Sequence, residues 1–289
     1  MDGWHSRKEN QHQWRIRQRA RVTLDEVSSI LQAYENRSQN TRVRVIKEGR
    51  RANIFAVTVC EDERQARVCL KQYLFSGLLG ILKHTVLPSR AMRSFKTAAR
   101  FRHLGINTAA PLAVLEKRQV LLPIDSLLIM EDISSHHGLP EYLESQFSPL
   151  PPKRQFREKR TFIKEFAQFI ADLHGKGVYH ADLKTTNIFV EEVSLQQRSF
   201  WLIDLDRVMF RRKLSSRQKL SNLVQINTSV PAHMSLTDRL RFYHDYTGKK
   251  RLEKGDKGFL AAIIQRSWKR NPHWHPRFGM NAALIRTWE

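Results

Sequence analysis

Between Val178 and Val190 the chain reads VYHADLKTTNIFV, which sets His180, Asp182, Lys184 and Asn187 within eight residues between two apolar flanks. A carboxylate such as Asp182 can accept or orient the proton of an attacking hydroxyl. The amide oxygen of Asn187 suits Mg²⁺, a hard cation that takes oxygen ligands. Lys184 can neutralise charge on a phosphoryl group in transit. Together they suit phosphoryl transfer to an alcohol; the plainer alternative is a polar loop that caps the preceding helix.

Such a loop needs partners elsewhere in the chain. Downstream, SFWLIDLDRV places Asp204 and Asp206 after an apolar, strand-like run, at a distance from Asn187 that fits a short hairpin. This resembles the strand-end aspartate by which kinases hold metal, and the resemblance implies that Asp204 would bridge Mg²⁺ to nucleotide phosphates, with Asp206 either a second metal contact or a cap. Upstream, RVCLKQY puts Lys71 on an expected strand, resembling the kinase V-A-I-K lysine, and that resemblance implies that its ammonium would hold the α and β phosphates. A lysine in a strand is usually solvated, so this role rests on the other motifs. The turn KEGRRAN offers only Gly49 as a phosphate cover, helped by Arg50 or Arg51.

The elements that must carry these residues follow from patterning. TLDEVSSILQAYENRS reads as a helix with Thr23 as N-cap and Glu26 completing a capping box. The segment from Thr41 to Leu74 alternates apolar and polar residues with a bend at KEGRRAN and a turn at EDERQA, as three antiparallel strands would. Cys60 and Cys69 are then expected nearly opposite each other, as small packing residues rather than a disulfide. SRAMRSFKTAARFRHL reads as a helix with Met92, Phe95, Ala99 and Leu104 on its apolar face, stopped by Gly105. APLAVLE and SLLIMEDI read as the last strands of the first sheet. After a linker at SQFSPLPPKR, a long helix carries a core stripe of Phe162, Phe166, Phe169, Ile170 and Leu173. The expected organisation is a basic extension with a short helix over 1–40, a β-rich lobe over 41–135 and a helical lobe over 136–289.

Composition sets the setting. The 289 residues are 41% hydrophobic, with 12 Gly, 10 Pro and no low-complexity tract, which excludes a disordered chain. Two cysteines make no disulfide framework, and the polar N-terminus does not read as a signal peptide, so a reducing cytoplasm is expected. The apolar stretch Tyr73 to Pro88 is interrupted by Lys83 and too short to span a bilayer; a buried or lobe-bridging segment is expected. Fifty Lys and Arg against 28 Asp and Glu give a net charge of +22, which calls for a polyanionic partner. No acid occurs from Arg64 to Leu115, and Arg90, Arg93, Lys96 and Arg100 recur at helical spacing as one ridge. Near the C-terminus, Trp268, His273, Trp274 and His275 make a poor metal site; packing of the tail onto the helical lobe is expected, with nucleobase stacking as the alternative.

HADLKTTN differs from the kinase pattern H-R-D-L-x-x-x-N only at Ala181, and CLK resembles the V-A-I-K lysine. With SRAMRSFKTAARFRHLGI, LIMEDI and LIDLDR, the chain resembles the lipopolysaccharide core kinases, which phosphorylate heptose or Kdo (3-deoxy-octulosonic acid) of the bacterial inner core. The resemblance covers roughly Arg42 to Arg207. It implies an α+β, two-lobed protein-kinase-like fold, ATP and Mg²⁺ as cofactors, and a sugar hydroxyl of the inner-core glycolipid as acceptor. By position it implies Asp182 and Lys184 as catalytic residues and Asn187 and Asp204 as metal ligands. Lys71 and Gly49 would contact phosphate, and Met130, Glu131 and Ile133 would form the adenine hinge. It also implies a place at the inner membrane's cytoplasmic face, with peripheral contact to anionic lipid; nucleic acid is disfavoured as a partner.

One position departs from the pattern. Kinases of this fold pair the phosphate lysine with a glutamate on the first long helix; here the aligned residue is Ser94, and that helix has no acid. Two alternatives stay open in the sequence: a kinase for another small-molecule or protein acceptor, and an inactive kinase shell that serves as a basic binding module.

Overall fold

The structure, a computed structural model, describes residues 5–9, 12–18, 22–61, 64–75, 87–119, 122–147, 152–194 and 197–274. The chain forms two compact units, Met1–Ser135 with Asp204–Asp206, and His136–Ile203 with Arg207–Glu289. Both helices and antiparallel strands build it, so its class is α+β.

The first unit is a seven-stranded antiparallel sheet. Its strands are β1 (His5–Glu9), β2 (His12–Gln18), β3 (Val43–Lys47), β4 (Ala52–Glu61), β5 (Arg64–Tyr73), β6 (Pro111–Gln119) and β7 (Leu122–Glu131), in the order β1-β2-β6-β7-β5-β4-β3. The three strands expected between Thr41 and Leu74 are β3 to β5. β1 and β2 were not foreseen, because their polar, basic composition hides the alternation that buries Trp14 and Ile16. Cys60 faces Gln65 and Cys69 faces Ala56 across the β4–β5 ladder, so the expected opposition of the two cysteines is corrected. The ladder continues to the pair Glu61–Arg64, inside the expected turn, and that pairing sets the register. Most of the apolar stretch Tyr73 to Pro88 lies outside the described residues.

Successive strand residues face opposite sides of the sheet, and each side takes one helix. Helix α1 (Leu24–Glu35) buries Val27, Ile30, Leu31 and Tyr34 against Phe55, Leu70, Leu115, Leu127 and Ile129. Each such side chain contributes about 1.5–3 kcal/mol relative to exposure. Its start is the expected capping box of Thr23 and Glu26. Helix α2 (Arg90–His103), capped by Ser89, packs Ala91, Met92 and Phe95 against Tyr73, Val114 and Leu128 on the other side. Its buried stripe continues through Ser94, Ala98 and Phe101, whereas Ala99 and Leu104 are only half-buried, a correction to the expected face. Gly105 ends the helix at φ 64°, letting Ile106 N–H return to the Phe101 carbonyl at 2.9 Å.

The second unit is mainly helical: α3 (Leu139–Phe147), α4 (Pro152–Gly175), α5 (Ser216–Ser229), α6 (Leu236–Thr247) and α7 (Lys254–Arg270). Short strands complete it: β8 (His137–Gly138), β9 (Val178–His180), β10 (Ile188–Ser194), β11 (Gln197–Leu202) and β12 (Val208–Phe210), paired as β11-β10-β8 and β12-β9. α4 starts at Pro152, inside the expected linker. Its stripe buries Phe162, Ile163, Phe166, Ala167, Ile170 and Leu173, while Phe169 is half-buried and stacks on Phe200 at 5.2 Å. Between α4 and β9, Gly177 has φ 70°, and a Cβ there would sit 1.8 Å from the Arg211 carbonyl oxygen. Only glycine lets this turn feed β9 into the loop that follows. Of the tail residues expected to pack, Trp274 does: it is buried, donates to the Asn227 carbonyl at 3.0 Å and lies 5.4 Å under the Arg239 guanidinium, whereas Trp268 and His273 are exposed, a correction to the expectation. His275 lies outside the described residues. Among the described residues no helix is long and apolar enough to cross a membrane.

Candidate active site

The candidate residues fall into two groups, one in each unit. In the first unit, interior strand β5 holds Lys71, paired in register with Ile54 and Leu128. Its Nζ lies 2.6 Å from Asp204 Oδ1 and 5.0 Å from the centre of the Tyr73 ring. Burial opposes the Lys71 charge, but Tyr73 and the Asp204 carboxylate more than offset it, so the ammonium is held above its ordinary pKa. Asp204 adopts φ 62°, the one described non-glycine residue in the left-handed region. Such a conformation persists only where its surroundings hold it, and it clusters at functional sites.

Ser94, the residue expected at the position of a helix glutamate, hydrogen-bonds the buried Tyr73 hydroxyl at 2.8 Å. Asp206 is 5% exposed and forms an ion pair with Arg90, Nε to Oδ2 at 2.6 Å. This contact, rather than a cap, accounts for one of its oxygens. Arg90 therefore leaves the expected basic ridge, of which Arg93, Lys96 and Arg100 remain exposed.

Gly49 sits in the β3–β4 turn, its N–H donating to Asn53 Oδ1 at 3.2 Å. Met130, the last residue but one of β7, pairs with Cys69 and Pro111. Glu131 is tied to Ala110 through its N–H at 2.9 Å, and its carboxylate accepts from Ala110 N–H at 3.3 Å. Ile133 is half-buried beyond Asp132, which accepts from Ser134 N–H and Oγ, each at 2.9 Å. Burial pushes the Cys69 thiol up to about 11, which keeps it protonated and unreactive.

In the second unit the loop after β9 gathers the other candidates. Asp182 Oδ2 lies 3.2 Å from Lys184 Nζ and 3.3 Å from Asn187 Nδ2, and that amide nitrogen also donates to the Asp182 carbonyl at 2.8 Å. With the nitrogen so engaged, the oxygen is the atom Asn187 can offer a cation. His180 is fully buried; its Nδ1 accepts from Asp182 N–H at 3.1 Å and its Nε2 donates to the Ile203 carbonyl at 3.1 Å, a pair of contacts that requires the neutral Nε2–H tautomer. Ile203 N–H in turn donates to the Asn187 carbonyl at 3.1 Å, and Asp204 is the next residue.

Sequence reasoning missed what supports this loop. From α5, Asn222 Nδ2 donates to the His180 carbonyl at 2.6 Å, and Gln225 accepts from Leu183 N–H at 2.5 Å and donates to the Ala181 carbonyl at 2.9 Å. Ser229 accepts from Thr185 N–H at 2.9 Å. The signal was present as polar residues spaced by three and four on one helix face, but such a stripe ordinarily reads as a solvated surface. Behind it, His174 bridges Asn222 at 3.2 Å and the Tyr246 hydroxyl at 2.8 Å, and burial pushes its pKa down to about 4. The same unit contains an apolar cavity of about 280 Å³, lined by Leu139, Leu143, Phe166, Ile226, Leu260 and Trp274 among others.

Residues 36–246 match the model of the "Lipopolysaccharide kinase (Kdo/WaaP) family". The chain is 25% identical over 185 residues to the lipopolysaccharide core heptose(I) kinase WaaP of Escherichia coli, covering 62% of this chain and 69% of that protein. It is 26% identical over 188 residues to the 3-deoxy-D-manno-octulosonic acid kinase of Pasteurella multocida, covering 63% and 72%. Among solved structures it resembles WaaP in complex with acyl carrier protein, with a TM-score of 0.57, 19% identity, and 79% and 88% of the two chains covered. That likeness fixes the fold as kinase-like.

Proposed function

Since this chain belongs to the lipopolysaccharide kinase (Kdo/WaaP) family and is a phosphotransferase, we propose that it moves the γ-phosphoryl group of ATP to a heptose or Kdo hydroxyl of the lipopolysaccharide inner core. The observation that carries the reading is the Asp182 carboxylate with Lys184 and Asn187 drawn onto the same oxygen. Asp182 orients the acceptor hydroxyl and takes its proton as the new oxygen–phosphorus bond forms and the bond to ADP breaks. Lys184 neutralises charge on the phosphoryl oxygens. Lys71 holds the α and β phosphates, the Gly49 turn covers them, and Met130 to Ile133 receive adenine. Asn187 and Asp204 would hold Mg²⁺ through their oxygens, and the ion would supply neutralisation of phosphate charge.

The net charge of +22 fits an anionic glycolipid presented at a membrane surface, which an uncharged acceptor would leave without explanation. Transfer of labelled phosphate from ATP to purified, truncated core lipid tests the reading. Transfer to protein or to small alcohols with the core lipid untouched would instead support a different acceptor.

A specific feature favours a second partner besides the substrate. The structural relative was solved with acyl carrier protein, and the apolar cavity of the second unit has the lining an acyl chain needs. On this reading acyl-loaded carrier, but not the unloaded carrier, raises the melting temperature of the chain. A Leu143→Trp change, which fills the cavity, removes the effect.

A further inference from the structure

Helix α2 lacks the carboxylate that would report its position to the phosphate lysine, and Ser94 is committed to Tyr73. One α2 residue nevertheless reaches the segment that carries Asp204. Arg90, the first residue of the helix, places Nε 2.6 Å from Asp206 Oδ2, while its Nη1 donates to the Arg51 carbonyl at 3.0 Å in the turn that holds Gly49. Its guanidinium lies 4.9 Å from the centre of the Tyr73 ring, and Lys71 Nζ lies 5.0 Å from the same ring. One side chain thus touches the helix start, the Gly49 turn, the Tyr73 platform and the Asp204–Asp206 segment.

Asp206 needs such a partner. Its side chain is 3% exposed, and its Oδ1 is buried without a hydrogen bond, so the direct ion pair with Arg90, with the Lys71 charge nearby, offsets a charge that burial would otherwise penalise. Two residues away, Asp204 is held at φ 62° and meets Lys71. A planar guanidinium can serve Asp206 and Arg51 at once because its donors are fixed in a fork; an ammonium is a single point.

We propose that Arg90 is the positioning residue of this site: through Asp206 it holds Asp204 in the left-handed conformation that meets Lys71, and through Arg51 it ties the same segment to the Gly49 turn. The ion pair stands in for the helix-glutamate to lysine pair that the chain lacks. The role rests on the reading of Asp204 as a metal ligand.

The test measures ATP binding to the full chain by calorimetry, with and without Mg²⁺, beside the melting temperature. The variants are Arg90→Ala, Arg90→Lys, Asp206→Asn and the Arg90→Ala/Asp206→Asn double. Arg90→Ala and Asp206→Asn are each expected to weaken Mg²⁺-dependent binding by about tenfold or more, with Mg²⁺-free binding changed less than about threefold. The double variant should be no weaker than the worse single, and Arg90→Lys should fall between wild type and Arg90→Ala. Mg²⁺-dependent binding within about twofold of wild type in Arg90→Ala, or losses that multiply in the double, would overturn the proposal. If Arg90→Ala has no melting transition, Arg90→Lys and Asp206→Asn carry the comparison, and wild-type binding in both overturns it. Asp204→Asn separates the two failures: unchanged Mg²⁺-dependent binding there removes the metal-ligand reading itself, and the Arg90 role with it.

Discussion

Lys71 Nζ and Asp204 Oδ1 meet at 2.6 Å across 133 residues of sequence, beneath a helix, α2, that carries no acid. The ion pair keeps the ammonium charged and aimed at the strained aspartate. Lys71→Ala is therefore expected to raise the apparent KM for ATP and lower kcat, together reducing kcat/KM by about a hundredfold or more. Asp204 is about one-third exposed, so the stability change should be small. Steady-state kinetics beside a melting curve check both; a fall in stability with no kinetic change would make Lys71 purely structural.

Ser94→Ala probes the opposite case. Its hydroxyl partners the Tyr73 phenol in a buried contact and reaches no candidate catalytic group. Losing it leaves the phenol unsatisfied, at a cost of about 1–3 kcal/mol. Denaturant titration should show that loss while turnover stays within about threefold of wild type. A large kinetic defect would mean that α2 acts on the site through Tyr73.

Stability should also depend on pH through His174. Burial lowers its pKa from 6.5 to about 4, so the folded chain resists the proton that the unfolded chain accepts. The sign follows: stability is full above pH 6.5 and falls as pH drops toward 4, by something on the order of 3 kcal/mol. The groups around the ring, Tyr246 and Asn222 by hydrogen bond and Lys219 by charge, add no compensating acid. Melting curves between these limits for wild type and His174→Gln check it; equal slopes in both would assign the acid sensitivity to another group.

The capped starts of α1 and α2, the three strands between Thr41 and Leu74, and the hairpin before Asp204 were legible because each has a local signature: a cap, an alternation, a turn. Asp182, Lys184 and Asn187 were legible for the same reason, being close in sequence. What stayed hidden is long-range. Nothing local to Arg90 marks it as the partner of an aspartate 116 residues away, and within its segment it reads as one more cation on a basic ridge. Asn222, Gln225 and Ser229 look like surface polarity until β9 is laid against them. The cysteine expectation failed because alternation leaves the pairing register of two strands free.

The exposed remainder of that ridge, Arg93, Lys96 and Arg100, bears on substrate capture. Reversing the three charges together should reduce association with anionic core lipid and activity on it, while the ATPase background and melting temperature hold. The wild-type association should fall steeply with added salt, because exposed attraction is screened over about 8 Å at physiological ionic strength. Unchanged glycolipid turnover in the triple variant would leave this face with no part in capture and put acceptor binding on the helical unit.

The most direct measurement compares wild type with Asp182→Asn for transfer of labelled phosphate from ATP to purified core lipid, with ATP binding measured on the same preparations. Asp182 touches Lys184 and Asn187 and is assigned to the acceptor hydroxyl rather than to the nucleotide. The expected result is transfer by the wild type and a loss of about a thousandfold or more in the variant, with ATP affinity within a few-fold of wild type. Transfer at the wild-type rate by Asp182→Asn would contradict the account.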